Sequence, residues 1–391
     1  MSELILHPRQ RRLTYMALFP AMLVTGVMFG LSQPLLAIKQ EMWGLSGTFI
    51  GISTAMPSLA IIICAPQLPK LAQRVGTLPL LFFSALLSAA CFLAYLWIDD
   101  PYAWLPLRFV HGAAHTGLMT VAEFWINAIT PDNRRGRMMG VLGAVLSAGF
   151  AIGPIVLQFT GFEGSAPFLA GAALMLVAAV PIGLAMMAKL PSLNLPSEER
   201  PERILTLIKL APAAILAALL FGAYETAMFN LLPVYGVRSG LTATEGAAML
   251  TAMGVGNLLL LIPIGILADR INRHMVLLLC AATAAFSGVL LPLSIHDAWL
   301  YLPLLAGGMG IVSGLYTVGL ALLGARFTGV ALVNANAAFI MLYAIGTLVA
   351  PPIAGAAMDI TGPNGLPYLL AGIMAAYVLL ILTRMRRPQT T

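Results

Sequence analysis

Five ionisable residues lie inside long apolar runs: Arg108, His111, His115 and Glu123 in one run, and Glu225 in another. A charge in hydrocarbon is costly, so each of them requires a partner or a wet cavity. At 100° per residue, positions 108, 111, 115 and 123 fall within an arc of about 120° on one helix face. A carboxylic acid in an apolar setting holds its proton more tightly than in water, and so can load and release a proton near neutral pH. That is carrier chemistry: the proton binds, the charge is neutralised, the protein changes state, and the proton leaves. Arg108 and Glu123 stand roughly 22 Å apart along a helix, too far to pair with each other. Glu225, near the middle of its run, is the better coupling candidate; its alternative is a structural hydrogen bond. Glu123 either serves the same chemistry or fixes the end of its helix. Arg108 binds an anion, modulates a nearby acid or braces helix packing. His111 and His115 have the i, i+4 spacing that metal sites use. With no Cys or acid in the motif, hydrogen bonding or proton relay is expected, and no metal or cofactor. Trp125, Tyr224, Asn127, Asn230, Gln33 and Tyr316 are expected as cavity lining.

The elements that must position these groups are membrane-spanning helices. Of 391 residues, 60% are hydrophobic and 9% charged, against roughly 25% charged in a soluble domain. Such a chain cannot cover a soluble surface, which excludes a cytosolic enzyme, a disordered chain and a nucleic-acid module. The apolar runs are continuous and lack the alternation of a membrane β-barrel. Twelve runs are long enough to span, near 13–37, 47–66, 77–97, 102–129, 138–161, 166–188, 207–234, 243–266, 274–294, 299–324, 331–356 and 366–385. The fold class is therefore an all-α polytopic membrane protein with twelve transmembrane helices. The first run is too long for a leader's apolar region and is expected to be a span. Cys64, Cys91 and Cys280 fall inside apolar runs and read as small buried hydrophobes.

Orientation follows from Lys and Arg. With the N-terminus in the cytoplasm, eighteen of the 21 basic residues fall in cytoplasmic segments, Lys39 and Arg238 fall outside, and Arg108 remains in a span. Both termini are therefore expected in the cytoplasm, and the basic balance is a topology signal, not a nucleic-acid patch. The longest polar stretch, Pro191 to Arg203, follows the sixth span. It divides the chain into a first half (1–188), a cytoplasmic linker (189–206) and a second half (207–391).

The halves repeat. Trp43-Gly44-Leu45-Ser46 matches Ser239-Gly240-Leu241-Thr242, and Leu71-Ala72-Gln73-Arg74 matches Leu267-Ala268-Asp269-Arg270, each at an offset of 196. Leu105-Pro106-Leu107 matches Leu302-Pro303-Leu304, and Gly149 and Pro154 match Gly346 and Pro351, each at 197. Two parallel six-helix units around a midplane site describe a secondary transporter. Gly149 and Gly153 also have the small-x-x-x-small spacing that lets helices approach closely, and Pro154 removes a backbone donor and bends its helix.

The whole chain resembles the major facilitator superfamily. Gly265-Ile266-Leu267-Ala268-Asp269-Arg270-Ile271-Asn272-Arg273-His274 is similar to that family's loop motif between the second and third helices of a half. Its first-half copy, Pro69 to Thr77 with Arg74, is degraded. Arg108-Phe109-Val110-His111-Gly112 resembles the fourth-helix pattern, and Pro131 to Arg137 the loop after it. Gly149-x-x-x-Gly153-Pro154 is similar to the family's antiporter signature, with Leu157 where a further Gly is usual. Ala122-Glu123-Phe124-Trp125-Ile126-Asn127 resembles a bacterial branch, the YcaD-like permeases.

The resemblance implies a cavity lined by the first and fourth helices of each half. It implies that Gly265, Asp269, Arg270, Arg273 and Arg74 belong to conformational loops and Gly149, Gly153 and Pro154 to a moving helix. It implies that Asp269 links the halves on the cytoplasmic side, a link Gln73 cannot match for want of charge. The expected activity is alternating-access, proton-coupled efflux of a small organic or amphipathic molecule. The alternative is proton-coupled uptake or uniport of a small organic anion held by Arg108. No hydrolytic triad or metal-ligand pattern stands in the sequence, so an enzyme is not expected. The partners are the cargo, protons and the lipid of a bacterial inner membrane, with the protein as a monomer.

Overall fold

The structure, a computed structural model, describes residues 8–188, 211–327 and 329–385, so the Pro191–Arg203 linker lies outside the described residues. Every regular element among them is helical. In hydrocarbon each backbone N–H and C=O must be satisfied within its own segment, which a helix does. The first half supplies α1 (Pro8–Met42), α2 (Gly47–Cys64), α3 (Leu68–Val75), α4 (Thr77–Trp97), α5 (Pro101–Ile129), α6 (Asp132–Thr160) and α7 (Ala166–Met187). The second supplies α8 (Pro212–Arg238), α9 (Ala243–Arg270), α10 (Arg273–Ser294), α11 (Ala298–Arg326), α12 (Gly329–Thr361) and α13 (Gly365–Met385).

Eleven helices among the described residues are long and apolar enough to cross a membrane. α2 and α3 together make one of them, broken by a 3-10 turn at Ala65–Gln67. Pro66 and Pro69 withdraw two backbone donors there, which is why the second predicted span is interrupted while α9, its counterpart, is continuous. The twelfth long helix is α5, whose polarity comes from the face carrying Arg108, His111, His115 and Glu123.

The chain forms two compact units: Met1–Lys39 with Met56–Glu199, and Gln40–Ala55 with Arg200–Thr391. The internal repeat reappears as local structure. Asp100 caps α5 by accepting from the Tyr102 N–H at 2.9 Å, and Asp297 caps α11 by accepting from the Trp299 N–H at 2.9 Å. Gly44 (φ 72°) and Gly240 (φ 94°) make the matching left-handed turns after α1 and α8.

The helix crossings repeat as well. In the first unit α1 and α6 touch backbone to backbone: a Cβ on Gly149 would lie 2.6 Å from Leu23 O and 2.8 Å from Gly26 Cα. Gly153 meets the backbone of Gly30 and Leu31 one turn further on. In the second unit Gly222 of α8 meets Tyr343 O of α12, and Gly346 meets Leu219 O. Gly26 and Gly222 are 196 positions apart, and Gly149 and Gly346 are 197 apart. Glycines therefore set both helix pairs, four at the α1–α6 crossing and two at the α8–α12 crossing.

The Gly149–Gly153 spacing thus has a definite partner, Gly26-x-x-x-Gly30. Gly153→Leu is expected to expand the α1–α6 crossing and cost about 1–3 kcal/mol or more, because its side chain meets backbone that cannot step aside. Transport should fall while membrane insertion is largely kept. The check is flux and thermal stability of the purified variant; parent-level flux at parent stability would reject the role of this contact.

Candidate functional site

The first unit holds the polar face of α5 in a largely closed environment. Arg108 is only 1% exposed, and its Nη2 donates to Gln33 Oε1 of α1 at 3.2 Å. His111 is buried and packs edge-on against Phe92 (centroids 5.2 Å) and Tyr95 (6.0 Å) of α4. His115, half-buried one turn further, faces Phe29 of α1 at 5.2 Å. Trp104 closes this end by donating its indole N–H to Ile98 O at 2.7 Å. The Arg108 guanidinium is thus enclosed and tied to α1. The N-terminal part of the predicted face is packed.

The C-terminal part of the same face is open. Glu123 and Asn127, one turn apart on α5, are both exposed, and Glu123 has no hydrogen-bond or ion-pair partner among the described residues. Trp125 points the other way and is fully buried.

Glu225 stands at the midpoint of α8 in the second unit. The glycine crossing at Gly222 and Gly346 brings α12 close enough for the Tyr343 hydroxyl to donate to Glu225 Oε2 at 2.8 Å. Tyr343 stacks on Phe221, one turn below Glu225, with centroids 5.9 Å apart and planes at 27°. Tyr316 of α11 meets Phe221 at 5.5 Å and Tyr343 at 5.8 Å. Tyr316 also leans on the buried Phe339 at 5.2 Å. Glu225, Phe221, Tyr316 and Tyr343 are each only partly buried. A carboxyl group with one fixed donor from an aromatic cluster can exchange a proton and hold an apolar or planar group beside it. Tyr224 and Asn230, on the neighbouring faces of α8, are instead buried, and Asn230 Nδ2 donates to Thr226 O at 2.9 Å.

The loop motifs occupy helix ends. Arg273 Nη1 donates to Ala321 O at 3.0 Å, placing a cation near the negative end of α11. Asn272 caps α10 through the His274 N–H at 2.9 Å. Asp269, Arg270 and Arg74 are exposed, and Gly265 has open space on its side-chain face.

One cluster was not singled out from the sequence. In the second unit Arg238, at the end of α8, forks onto Glu41: Nε to Oε1 at 2.9 Å and Nη2 to Oε2 at 2.9 Å. Its Nη1 reaches Asp359 Oδ1 of α12 at 3.1 Å. Asp359 also accepts from the Gly47 N–H at 2.7 Å, and from the N–H and hydroxyl of Thr48 at 2.8 and 2.7 Å, at the start of α2. The available signal was Arg238 itself, one of two basic residues that the sequence analysis expects outside the cytoplasmic segments.

The sequence pattern of the Major Facilitator Superfamily matches residues 18–256 and 239–391. The chain is 24% identical over 266 residues to the "Uncharacterized MFS-type transporter YfkF" of Bacillus subtilis (strain 168), covering 67% of this chain and 68% of that one. It is 22% identical over 318 residues, 81% of each chain, to the "Uncharacterized MFS-type transporter YcaD" of Escherichia fergusonii. Among solved structures, the nucleoside transporter NupG superposes with a TM-score of 0.75 at 13% identity, covering 96% of this chain and 99% of that one. The D-xylose-proton symporter superposes with a TM-score of 0.70 at 16% identity, covering 95% and 96%.

Proposed function

The chain belongs to the major facilitator superfamily, and from that premise we propose that it exports a small organic or amphipathic molecule by alternating access, coupled to protons. The observation that carries this reading is Glu225: a partly accessible carboxyl at the midpoint of α8, held by Tyr343 and flanked by aromatic rings. The same group can take a proton or face a cargo, and the rings suit an apolar or planar body. Export is supported by the likeness of Gly149-x-x-x-Gly153-Pro154 to the antiporter signature and by the close α1–α6 crossing built on it. Uptake of an anion held by Arg108 is less well supported, because that guanidinium is enclosed and already engaged with Gln33.

The test is flux of a compound library in proteoliposomes with and without an imposed pH gradient. Transport of at least one organic solute against its concentration gradient, dependent on the pH gradient, is expected. Gradient-independent flux of every transported solute would remove the coupling.

The proposed setting is a bacterial inner membrane, the protein a monomer with both termini in the cytoplasm. Single cysteines at Ser197 and Gly164 are expected to label from opposite sides. Cys64, Cys91 and Cys280 are free thiols and must be replaced first; Cys91 and Cys280 are buried. Labelling of both engineered sites from outside intact cells would overturn the orientation.

A further inference from the structure

A cavity of about 210 Å³ opens at the end of the first unit where α1 begins and α5 gives way to α6. Its wall includes Arg11, Arg12 and Tyr15 from α1, Thr130 at the end of α5, and Arg134 and Met138 from α6. The Tyr15 hydroxyl and Thr130 Oγ1 are hydrogen-bonded at 2.7 Å, tying the two sides together. The preference for basic residues on one membrane side accounts for arginines at this level. It does not account for three of them, from segments more than a hundred residues apart in sequence, lining one concave space whose described wall carries no carboxylate.

The surface beside the cavity changes from charged to apolar along the same helix. Leu13 and Met16 follow Arg12 on α1 and are 42% and 60% exposed. Val141, about one turn beyond Met138 on α6, is exposed as well. We propose that this cavity binds the headgroup phosphate of an anionic phospholipid, with Arg11, Arg12 and Arg134 on the phosphate and the acyl chains lying along Leu13, Met16 and Val141. Guanidinium groups match phosphate oxygens in geometry as well as charge, and basic pockets at the ends of spanning helices suit such headgroups. A soluble phosphate would use the arginines but not the apolar strip, so the lipid is the occupant that accounts for both. The inference is independent of cargo and coupling.

The test is a titration of the full chain in neutral detergent with phosphatidylglycerol or phosphatidylcholine, read by native mass spectrometry. The parent should retain phosphatidylglycerol preferentially. The double variant R11Q/R134Q should weaken that retention roughly ten-fold or more, as expected for two arginines lost beside an anionic headgroup, and leave phosphatidylcholine unchanged. R9Q, which removes an exposed arginine outside the cavity, should change neither. Equal weakening by R9Q would reduce the effect to general surface charge. Full retention by R11Q/R134Q would reject the site, and a parent that takes up millimolar inorganic phosphate but retains no phosphatidylglycerol would reject the lipid as occupant. If the double variant does not insert, a photoactivatable phosphatidylglycerol on the unmodified protein decides. Cross-links on residues 11–16 and 134–141 support the site, and cross-links spread evenly over the chain overturn it.

Discussion

Glu225→Gln is expected to abolish uphill transport while leaving gradient-free exchange in place. Glutamine keeps the size of the side chain and can still accept from the Tyr343 hydroxyl, now 2.8 Å from Glu225 Oε2, but it has no proton to release. With one proton per cargo, a pH gradient of one unit supports about ten-fold accumulation in the parent; the variant should equilibrate to equal concentrations on both sides. Tyr343→Phe tests the same geometry more gently. It removes the donor but keeps the ring on Phe221, so it should move the pH dependence of transport more than the maximal rate. Glu123→Gln should be milder than Glu225→Gln, because Glu123 is exposed and without a partner among the described residues. Uphill accumulation by Glu225→Gln at the parent level would transfer the proton role to Glu123 or the His111/His115 pair. If neither the parent nor any variant accumulates solute uphill, the protein is a uniporter.

The sequence reached the spans, the repeat and the acids for physical reasons. Hydrocarbon demands long apolar runs, so the spans stand out, and a charge within them is conspicuous at any position. Burial against protein is harder to read, because the same residue types face lipid and core. Trp125 and Tyr224 were both expected at a cavity, yet Trp125 is fully buried, whereas Tyr224 is nearly buried but borders a small cavity with Met228, Ser287 and Leu305. An aromatic residue carries no mark that separates lining from packing. Tyr343, the partner of Glu225, lies 118 positions away on a helix whose apolar residues run all round. Periodicity gives the face of an element, but not the element that will meet it. Gly26 and Gly222 were missed for the same reason: a glycine's partner is visible only once two backbones cross. Arg108 shows the limit in a polar residue, since sequence placed it at membrane depth but could not tell an open guanidinium from one closed by Gln33.

Arg238→Ala is expected to loosen the corner where the α1–α2 turn meets the ends of α8 and α12. Arg238 pairs with two carboxylates at once, and Asp359 in turn holds the first amides of α2. Beneath this cluster the backbones are already in contact: a Cβ on Gly47 would lie 2.7 Å from Gly355 O. The charged groups are about four-fifths buried, with side chains 18%, 17% and 26% exposed for Arg238, Glu41 and Asp359. Hydrogen bonds to charged groups in such a setting contribute about 1.5–3 kcal/mol each, and removal of the cation leaves Glu41 and Asp359 without it. A net loss near 3 kcal/mol shifts an equilibrium by roughly a hundred-fold. An alternating-access carrier must make some contacts in one state and break them in the other, and such contacts set the populations. The hypothesis is that this cluster is one of them. Spin labels on cysteines at Ser46 and Thr361 should give one narrow distance distribution in the parent and a second, longer component in Arg238→Ala. Arg238→Lys should restore the parent distribution only in part, because an ammonium can pair with one acid but lacks the fork that takes Glu41 at both oxygens. Transport by Arg238→Ala should change in rate without losing its dependence on the pH gradient, since Glu225 is untouched. An unchanged distance distribution in Arg238→Ala would mean that the glycine contact alone holds the corner and the ion cluster sets no population.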